Sequence, residues 1–289
     1  MRPSRPHLLI SVNVAYQGAP GAYSEIAAGN LFPDEQLVGQ RTFDDVFTAL
    51  QRGEVRAAVV PVENSHAGAV ADVYDLLRTH VDFRVLAEAV VRVSHCLLAL
   101  PGTAFDQIRT ARSHPQALSQ VDAFLRGHHI QPEVAYDTAG AAQEIARGTD
   151  RSVAAVASRR AASHYGLEIL AAAIETTADN YTRFFAIARA DDRDVAGWID
   201  PGAIAGPAKT SLVYATKNVP GALVRSLQPF AVTGIQLTKI ESRPSRDAPW
   251  EYVFYVDILR GDDEPARNAL RHLGEVADLV KVLGIYPAA

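Results

Sequence analysis

The feature that constrains this chain most is a continuous apolar run at residues 57–62, Ala-Ala-Val-Val-Pro-Val. A strand that is buried on both faces reads as such a run, and it is typical of parallel sheets covered by helices. Between residues 12 and 190, strand-like runs alternate with amphipathic stretches such as residues 23–30 and 138–146. This alternation predicts an α/β fold for this part of the chain.

Some element boundaries are also marked. Thr42 is a suitable N-cap, because its hydroxyl can accept a hydrogen bond from a free backbone N–H, and Asp44 and Asp45 follow in the first turn. Pro115 suits the first position of a helix over residues 116–125. Residues 84–100 contain one or two long strands.

Residues 191–208 have a different character. Glycine, proline and aspartate cluster there and the apolar periodicity is lost, which predicts a linker. Beyond it, residues 209–288 follow the order βαββαβ, which is that of a ferredoxin-like sandwich. The chain of 289 residues therefore divides into a larger domain, residues 12–190, and a small C-terminal domain.

Composition excludes several classes of protein. The formal net charge of −5 argues against nucleic acid as the main partner, since phosphate binding needs a basic face. We expect no membrane span, because no apolar run approaches about 18–20 residues. The short apolar stretch at residues 8–14 resembles a signal peptide only weakly, and it reads better as the first strand.

The chain has a single cysteine, Cys96. No intrachain disulfide can form, which fits a reducing compartment, and we expect a cytoplasmic protein. A thiolate metal cage is also excluded, so no metal site is expected. Neighbouring residues in a strand point to opposite faces, which disfavours a nucleophilic pair of Cys96 with His95 and favours a small core residue.

Familiar cofactor signatures are missing. The sequence contains no P-loop, no G-x-G-x-x-G, no H-E-x-x-H, no EF-hand loop and no G-x-S-x-G. An enzyme of this sequence is therefore expected to work without a nucleotide or metal cofactor.

Small polar residues occupy three predicted strand-to-helix junctions, at residues 18–24, 63–68 and 113–116. In open α/β sheets, ligands bind beyond the carboxyl ends of the strands, where helix N-termini favour anions. Each junction alone is explained by ordinary capping. Together they predict a cleft for a small molecule with more than one carboxylate.

A fourth polar segment, Asn-Tyr-Thr-Arg-Phe at residues 180–184, begins the last strand before the linker. Thr182 and Arg183 are neighbours in this strand, so they are expected to point to opposite sides. A surface arginine in an ordinary strand is the alternative interpretation for Arg183.

Read together, these segments resemble the prephenate dehydratase family, which includes the arogenate dehydratases. The resemblance spans residues 12–288 and is carried by residues 15–25, 61–65, 113–118 and 180–184. The C-terminal unit resembles the ACT regulatory domain of these enzymes through Gly-Ala-Leu at 221–223 and Glu-Ser-Arg-Pro at 241–244. The family fold implies two α/β lobes similar to periplasmic binding proteins. Lobe one would comprise residues 12–91 and 182–190, and lobe two residues 92–178.

The resemblance implies a reaction in which prephenate loses carbon dioxide and its ring hydroxyl to give phenylpyruvate, a step in L-phenylalanine biosynthesis. It places Thr182 at the leaving hydroxyl as a donor or relay, with His114 and Glu63 as titratable groups behind it. His114 alone is explained equally well by a helix start. Arg183 would bind a carboxylate or brace the hinge. The expected substrate-binding residues are Ser24, Asn64, Ser65, Ser113, Gln116, Arg183 and Phe184.

The same resemblance implies feedback regulation by L-phenylalanine, bound between paired C-terminal domains in a homodimer or homotetramer. The expected effector-binding residues are Asn218, Pro220, Gly221, Ala222, Leu223, Glu241, Ser242, Arg243 and Pro244.

The sequence departs from the pattern of many prephenate-specific members. It has Ala22 where they have threonine, and Ala67 and Ala69 where they have glutamate and serine. Residues 16–25 and 95–101 are similar to plant-type arogenate enzymes. Arogenate, or both substrates, is therefore the alternative to prephenate. A solute-binding protein and a catalytically silent amino-acid sensor are more remote alternatives.

Overall fold

Three β-sheets organise the chain, and helices cover them. The computed structural model describes residues 13–244 and 252–289, so residue 12, where the first strand is expected to begin, lies outside the described residues. The strands are β1 (Asn13–Gln17), β2 (Gln36–Gln40), β3 (Ala57–Asn64), β4 (Gly68–Ala69), β5 (Phe83–Arg92), β6 (Cys96–Ala99), β7 (Thr110–Ser113), β8 (Gln131–Val134), β9 (Val153–Ala157), β10 (Glu168–Ala172), β11 (Tyr181–Arg189), β12 (Ala208–Thr216), β13 (Leu237–Pro244), β14 (Tyr252–Ile258) and β15 (Leu279–Pro287). The α-helices are α1 (Tyr23–Leu31), α2 (Phe43–Gln51), α3 (Ala71–Thr79), α4 (Pro115–Gln120), α5 (Asp122–Gly127), α6 (Thr138–Arg147), α7 (Arg159–Tyr165), α8 (Ala222–Val232) and α9 (Glu264–Val276).

The first two sheets form two lobes. In lobe one the strand order is β2-β1-β3-β11-β5, with β4 paired to β3. In lobe two it is β10-β6-β9-β7-β8. The chain crosses to lobe two after β5 and returns in β11, which lies antiparallel between β3 and β5. The two-lobed α/β fold expected from the sequence is confirmed.

Local sequence explains several elements. The run that begins β3 is buried, as expected for a strand covered on both faces. Thr42 accepts from the Asp45 N–H at 3.1 Å while the Asp45 carboxylate accepts from the Thr42 N–H at 3.0 Å, so the predicted cap is confirmed as a capping box. Residues 84–100 form two strands, β5 and β6.

Edge strands are the elements that sequence patterns missed. The strands β2, β8 and β10 lie at the edges of their sheets, and β2 and β8 lack a continuous apolar run. β8 is exposed at all four positions, so no face of it is marked by apolar residues. The helix predicted over residues 116–125 is two helices, α4 and α5, because the backbone leaves the helical conformation at Val121.

The third sheet has the order β13-β14-β12-β15, and α8 and α9 cover one of its faces. This is the ferredoxin-like arrangement expected for the C-terminal part of the chain. Its core lies between sheet and helices and includes the buried residues Leu212, Tyr214, Phe230, Val256, Ile258, Ala269 and Leu273.

The other face of this sheet packs on lobe one. Tyr255 of β14 contacts Tyr74 of α3 with ring centroids 4.7 Å apart, and both belong to one buried core. The Lys281 ammonium in β15 donates to the carbonyls of Leu77 and His80, at 2.6 and 2.9 Å, and so caps the C-terminal end of α3. The C-terminal sheet and lobe one therefore share a hydrophobic core.

Close approach of the two sheets depends on one glycine. A Cβ at Gly284 in β15 would lie 2.3 Å from the carbonyl oxygen of Val85 in β5. Any other residue at position 284 would push the C-terminal sheet away from lobe one, so this glycine sets the spacing between them.

The predicted linker is irregular but tightly packed. It contains two short 3₁₀ helices, Asp194–Trp198 and Pro201–Ala203. Val195 is fully buried against lobe one. The Asp192 carboxylate accepts two hydrogen bonds from the Arg56 guanidinium, at 2.8 and 2.5 Å. These contacts fix the segment on lobe one instead of leaving it as a free tether.

We expect Asp192→Asn to lower the free energy of unfolding by about 1–2 kcal/mol, because it removes a charged two-bond contact. Hydrogen bonding from Arg56 lowers the pKa of Asp192 below its ordinary value of 3.8. The stabilisation is therefore present above that value and is lost as the pH falls through the lowered pKa. The measurement is urea unfolding of the wild type and Asp192→Asn from neutral to acidic pH. The difference between their free energies of unfolding should become smaller as the pH falls.

Asp191→Asn is the matched control, since the side chain of Asp191 is 78% exposed and pairs with Arg189 at 3.3 Å. Asp191→Asn should change the free energy of unfolding by no more than about 0.5 kcal/mol. Equal effects of the two substitutions would contradict the assignment of a structural ion pair to Asp192.

Candidate active site

A cleft of about 760 Å³ lies between the two lobes. It is open to solvent, and both lobes contribute polar side chains to its wall. Lobe one supplies the neutral polar side chains of Gln17, Tyr23, Ser24, Thr42, Asn64 and Thr182, the charged side chains of Asp44, Asp72, Asp75 and Arg78, and the ring of Phe184. Lobe two supplies His114, Gln116, Tyr136, Asp137 and Thr138.

Four helices begin at this cleft. Ser24 lies in the first turn of α1, Thr42 caps α2, His114 caps α4 and Asp137 caps α6. Free backbone N–H groups and the positive end of each helix dipole are therefore directed toward the same space. This arrangement suits a ligand with more than one negative charge.

Thr182 is held at the cleft by Asn64. The Asn64 Oδ1 atom accepts from the backbone N–H groups of His66 and Ala67, at 3.0 and 2.9 Å, which fixes the orientation of the amide. Its Nδ2 atom donates to the Thr182 Oγ1 atom at 3.0 Å. Because the threonine oxygen accepts this bond, its own proton is free to be donated into the cleft.

The same network continues into lobe two. Asn64 Nδ2 donates to Asn180 Oδ1 at 2.8 Å, and Asn180 Nδ2 donates to Gln120 Oε1 at 3.0 Å. His95 Nε2 lies 2.8 Å from the same Gln120 oxygen, so this ring nitrogen carries the proton. Burial lowers the pKa of His95 below its ordinary value of 6.5, and the ring is neutral at neutral pH. The network joins both lobes behind Thr182.

His114 combines a structural contact with access to the cleft. Its Nδ1 atom accepts from the Gln116 N–H at 3.2 Å, which caps α4, and Pro115 occupies the first helical position as predicted. The proton of the neutral ring is therefore on Nε2. The ring is exposed and lines the cleft, so this N–H can be donated to a bound molecule.

Two of the expected site residues face away from the cleft. The Glu63 carboxylate contacts the Lys239 ammonium at 2.8 Å and lies 3.6 Å from the Arg183 guanidinium. Arg183 itself binds the carboxylates of Glu88 and Asp257, each at 2.5 Å. The expectations of a catalytic Glu63 and a substrate-binding Arg183 are therefore corrected, since both side chains lie between lobe one and the C-terminal sheet.

A β-bulge is the physical reason for the position of Glu63. The pairing of β3 with β11 shifts by one residue, because Arg183 lies opposite Glu63 while Phe184 lies opposite Pro61. Val62 and Glu63 consequently both face the C-terminal side, and Asn64 takes the position in the cleft that regular alternation would give to Glu63.

Two serines are also corrected from substrate-binding to structural contacts. Ser113 is fully buried and donates to the Val156 carbonyl at 2.6 Å. Ser65 donates to the Asp179 carbonyl at 3.0 Å and accepts from the Tyr181 N–H at 3.0 Å. Ser113 holds the sheet of lobe two together, and Ser65 fixes the loop that follows Asn64.

The sequence patterns missed Asp137 as a residue of the cleft. Its Oδ1 atom accepts from the N–H groups of Ala139 and Gly140, and its Oδ2 atom accepts from the Ala19 N–H of lobe one at 3.0 Å. The signal was a strand-to-helix junction like the other three. It was hidden because β8, the strand before it, has no apolar pattern.

A second contact between the lobes surrounds Gly21. The Glu25 carboxylate accepts from the Gly21 N–H and from the Arg160 guanidinium, at 2.5 and 2.8 Å, and Ser158 donates to the Gly21 carbonyl at 2.6 Å. A Cβ at Gly21 would lie 2.6 Å from the Ala161 Cα atom. Burial would raise the pKa of Glu25, but the bonds from Arg160 and Gly21 outweigh it, and the pKa is lowered. Glu25 is thus a charged clamp between the lobes.

The two effector motifs lie at one end of the C-terminal sheet. Thr216, which precedes the first motif, and Pro244, which ends the second, both pair with Tyr252. Gly221 caps α8 with a positive φ of 77°. In the second motif, Arg243 faces lobe one and lies 3.5 Å from Asp75 of α3.

Within residues 13–244 and 252–289, no group of three His, Cys, Asp or Glu side chains comes close enough to hold a metal ion. None of the helices described is long and apolar enough to cross a membrane. Cys96 is buried, and burial raises the pKa of its thiol, as expected for a core residue.

Sequence comparisons agree with this geometry. The family model for prephenate dehydratase matches residues 14–192. Arogenate dehydratase/prephenate dehydratase 2 of Arabidopsis thaliana, named as chloroplastic, is 43% identical over 286 residues, which cover 96% of this chain and 73% of that protein. Arogenate dehydratase 1 of Petunia hybrida is 41% identical over 294 residues, which cover 96% of this chain and 67% of that protein.

Solved structures agree as well. The prephenate dehydratase of Arthrobacter aurescens in complex with L-Phe has a TM-score of 0.84 and 28% identity, over 96% of this chain and 90% of that one. GqqA, described as a novel type of quorum quenching acylase, has a TM-score of 0.83 and 32% identity, over 96% of this chain and 98% of that one. Fold and cleft define a two-lobed α/β enzyme with a C-terminal ferredoxin-like domain. The chain belongs to the prephenate dehydratase family and is a dehydratase.

Proposed function

We propose that this dehydratase converts prephenate to phenylpyruvate, with arogenate as an alternative or additional substrate. One observation carries the proposal: the Thr182 hydroxyl, oriented by Asn64, directs its proton into a cleft where four helices begin. A dicarboxylate can bind its charges at the helix N-termini while its leaving hydroxyl meets Thr182.

The reaction requires a hydrogen-bond donor at the oxygen of the leaving hydroxyl. The bond between the ring and the carboxylate breaks to release carbon dioxide, its electrons enter the ring, and the ring carbon–oxygen bond breaks to release hydroxide. Aromatisation drives the reaction. Negative charge develops on the leaving oxygen, so a donor there stabilises the transition state more than the ground state.

The proton itself comes from a titratable group. A threonine hydroxyl is far from the ideal pKa for a general acid at neutral pH, so Thr182 acts as an oriented donor or relay. In our proposal His114 supplies the proton from its imidazolium form, in which Nδ1 is also protonated and gives up the bond from the Gln116 N–H, and the ring returns to the neutral form as the proton passes to the leaving oxygen. Ser24, Gln116 and Phe184 line the remaining wall and form the proposed substrate-binding set with Asn64.

We expect Thr182→Val to lower kcat by a factor of about 10²–10³, because one transition-state donor is lost at nearly constant volume. Thr182→Ser retains the hydroxyl and is the matched control, which should keep most of the activity. The measurement is steady-state turnover of prephenate by purified, folded protein. A wild-type kcat in the valine variant would remove Thr182 from the mechanism.

Substrate choice depends on the group next to the side-chain carboxylate, which is a keto group in prephenate and an ammonium in arogenate. Asp137 places a carboxylate in the cleft, which suits an ammonium, and both plant relatives are named arogenate dehydratases. We expect turnover of prephenate, and kcat/KM for arogenate at least as high. Parallel assays of both substrates provide the measurement, and no turnover of either at saturation would refute the proposed function.

The similarity to GqqA makes acyl transfer the activity to exclude in the same assays. Among the residues described, no hydrogen bond joins a serine, threonine or cysteine side chain to a histidine, as a nucleophile activated by a base would require. An N-acyl amide substrate should therefore remain intact under conditions in which prephenate is consumed.

We also propose that L-phenylalanine binds at the end of the C-terminal sheet and shifts the cleft to a less active state. Support comes from the exposed start of α8, where Gly221 has a positive φ and the Arg225 guanidinium lies beside it as a charge for a carboxylate, and from the common strand partner Tyr252. The proposed assembly is a homodimer or homotetramer with effector between paired domains. The proposed compartment is the cytoplasm, supported by the single buried cysteine.

We expect Gly221→Val to weaken phenylalanine binding at least tenfold while the activity without effector is retained, since a side chain there displaces the Arg225 guanidinium and strains a backbone with φ of 77°. Gly234→Val is the matched control, because Gly234 also has a positive φ, of 64°, and lies at the opposite end of α8. Calorimetry with phenylalanine on the three proteins provides the measurement. Equal binding by wild type and Gly221→Val would rule out this site.

A further inference from the structure

The strand that carries Thr182 is anchored from its other face. Thr182 lines the cleft, whereas the next side chain, Arg183, is directed toward the C-terminal sheet. Arg183 donates to Glu88 of β5 and Asp257 of β14 at 2.5 Å each, and to the Tyr286 hydroxyl at 2.9 Å. All these bonds come from one guanidinium, so the position of the Thr182 backbone depends on groups outside the cleft.

The C-terminal domain contributes Asp257, which lies in β14 of its sheet. Asp257 is 2% exposed, and its second oxygen accepts from the Ser211 hydroxyl at 2.5 Å. Ser211 also bonds to the Tyr286 hydroxyl. A carboxylate buried to this extent is stable only when it is paired and hydrogen-bonded. Asp257 is therefore a fixed negative charge for Arg183.

The charges around Arg183 are balanced. Glu88, which is also 2% exposed, accepts from Arg183 and from the Lys209 ammonium. Burial would lower the pKa of Arg183, but Asp257 and its other anionic neighbours outweigh this effect and raise it. With the pair of Glu63 and Lys239 beside them, three cations thus face three carboxylates, and the loss of one carboxylate leaves an excess positive charge behind Thr182.

The backbone at this point is irregular, so it needs support. The β-bulge in β3 lies opposite Arg183, beside the pair of Thr182 with Asn64. Bulges interrupt the ladder and redirect side chains. Without the Arg183 anchor, only the ladder and the hydrogen bond from Asn64 would hold the catalytic hydroxyl.

We propose that Asp257, a residue of the C-terminal domain, is a positioning residue for the dehydratase reaction, acting through Arg183 on Thr182. The inference rests on the proposed function of Thr182. It makes the C-terminal sheet a part of the active-site scaffold, in addition to any effector binding.

The test is Asp257→Asn in the full chain, with prephenate and arogenate as substrates. The substitution keeps the volume and removes the charge. The value of kcat should fall roughly tenfold while KM stays within about twofold, because a small displacement of the donor affects the transition state more than substrate binding. In a Thr182→Val background, the same substitution should lower the remaining kcat less than about threefold, since the hydroxyl that Asp257 helps to position is already absent.

Tyr255→Phe is the matched control. Tyr255 lies two residues away on the same face of β14 and donates to the Tyr74 carbonyl at 3.2 Å, in the same interface but away from Thr182. Its kcat should equal that of the wild type. If Asp257→Asn does not fold, Ser211→Ala replaces it as the milder change, with an expected loss of about threefold in kcat and the same KM.

Unchanged kcat in both Asp257→Asn and Ser211→Ala would overturn the inference. So would an equal loss in the wild-type and Thr182→Val backgrounds, since a general structural defect acts independently of the hydroxyl. If the wild type converts neither substrate, the proposed function fails first, and that result is distinct from a failure of the variants alone.

Discussion

The alternation of side chains along β11 is the constraint on which the rest of the structure depends. Because neighbours in a strand point to opposite faces, Thr182 and Arg183 must serve two different surfaces. The hydroxyl faces the cleft and the guanidinium faces the C-terminal sheet. Insertion of β11 between β3 and β5 then places both functions at the centre of lobe one. The catalytic cleft and the domain interface therefore lie on opposite faces of β11.

The cleft also depends on the direction of hydrogen bonds. Two backbone donors fix the Asn64 amide, and this alone decides that Thr182 accepts rather than donates within the protein. Asn180 and Gln120 extend the same order of donors and acceptors into lobe two. A bound substrate thus meets a hydroxyl whose proton is already available, and no internal bond has to break first.

Sequence patterns predicted the parts of the fold in which local signals and burial agree. Central strands such as β3, the Thr42 cap and the order of elements in the C-terminal sheet were predicted correctly. The edge strands β2 and β8 were missed because they carry no continuous apolar run, and Asp137, which follows β8, was missed as a residue of the cleft. Glu63 was assigned to the wrong surface because a β-bulge reverses the alternation at Val62, and no local signal marks a bulge. The partners of Arg183 are distant in sequence, so only the fold could identify them.

Gly284 allows β15 to lie against β5, and β5 is the neighbour of β11. The residues on the two sides of this interface therefore have to change together during evolution. A chimera that joins this catalytic part to the C-terminal domain of a relative would need matching residues opposite Val85, Arg183 and Glu63, and not simply the same topology. Exchange of regulatory domains between such enzymes is consequently limited by the fit of this buried surface more than by the sequence of the segment that connects the two parts.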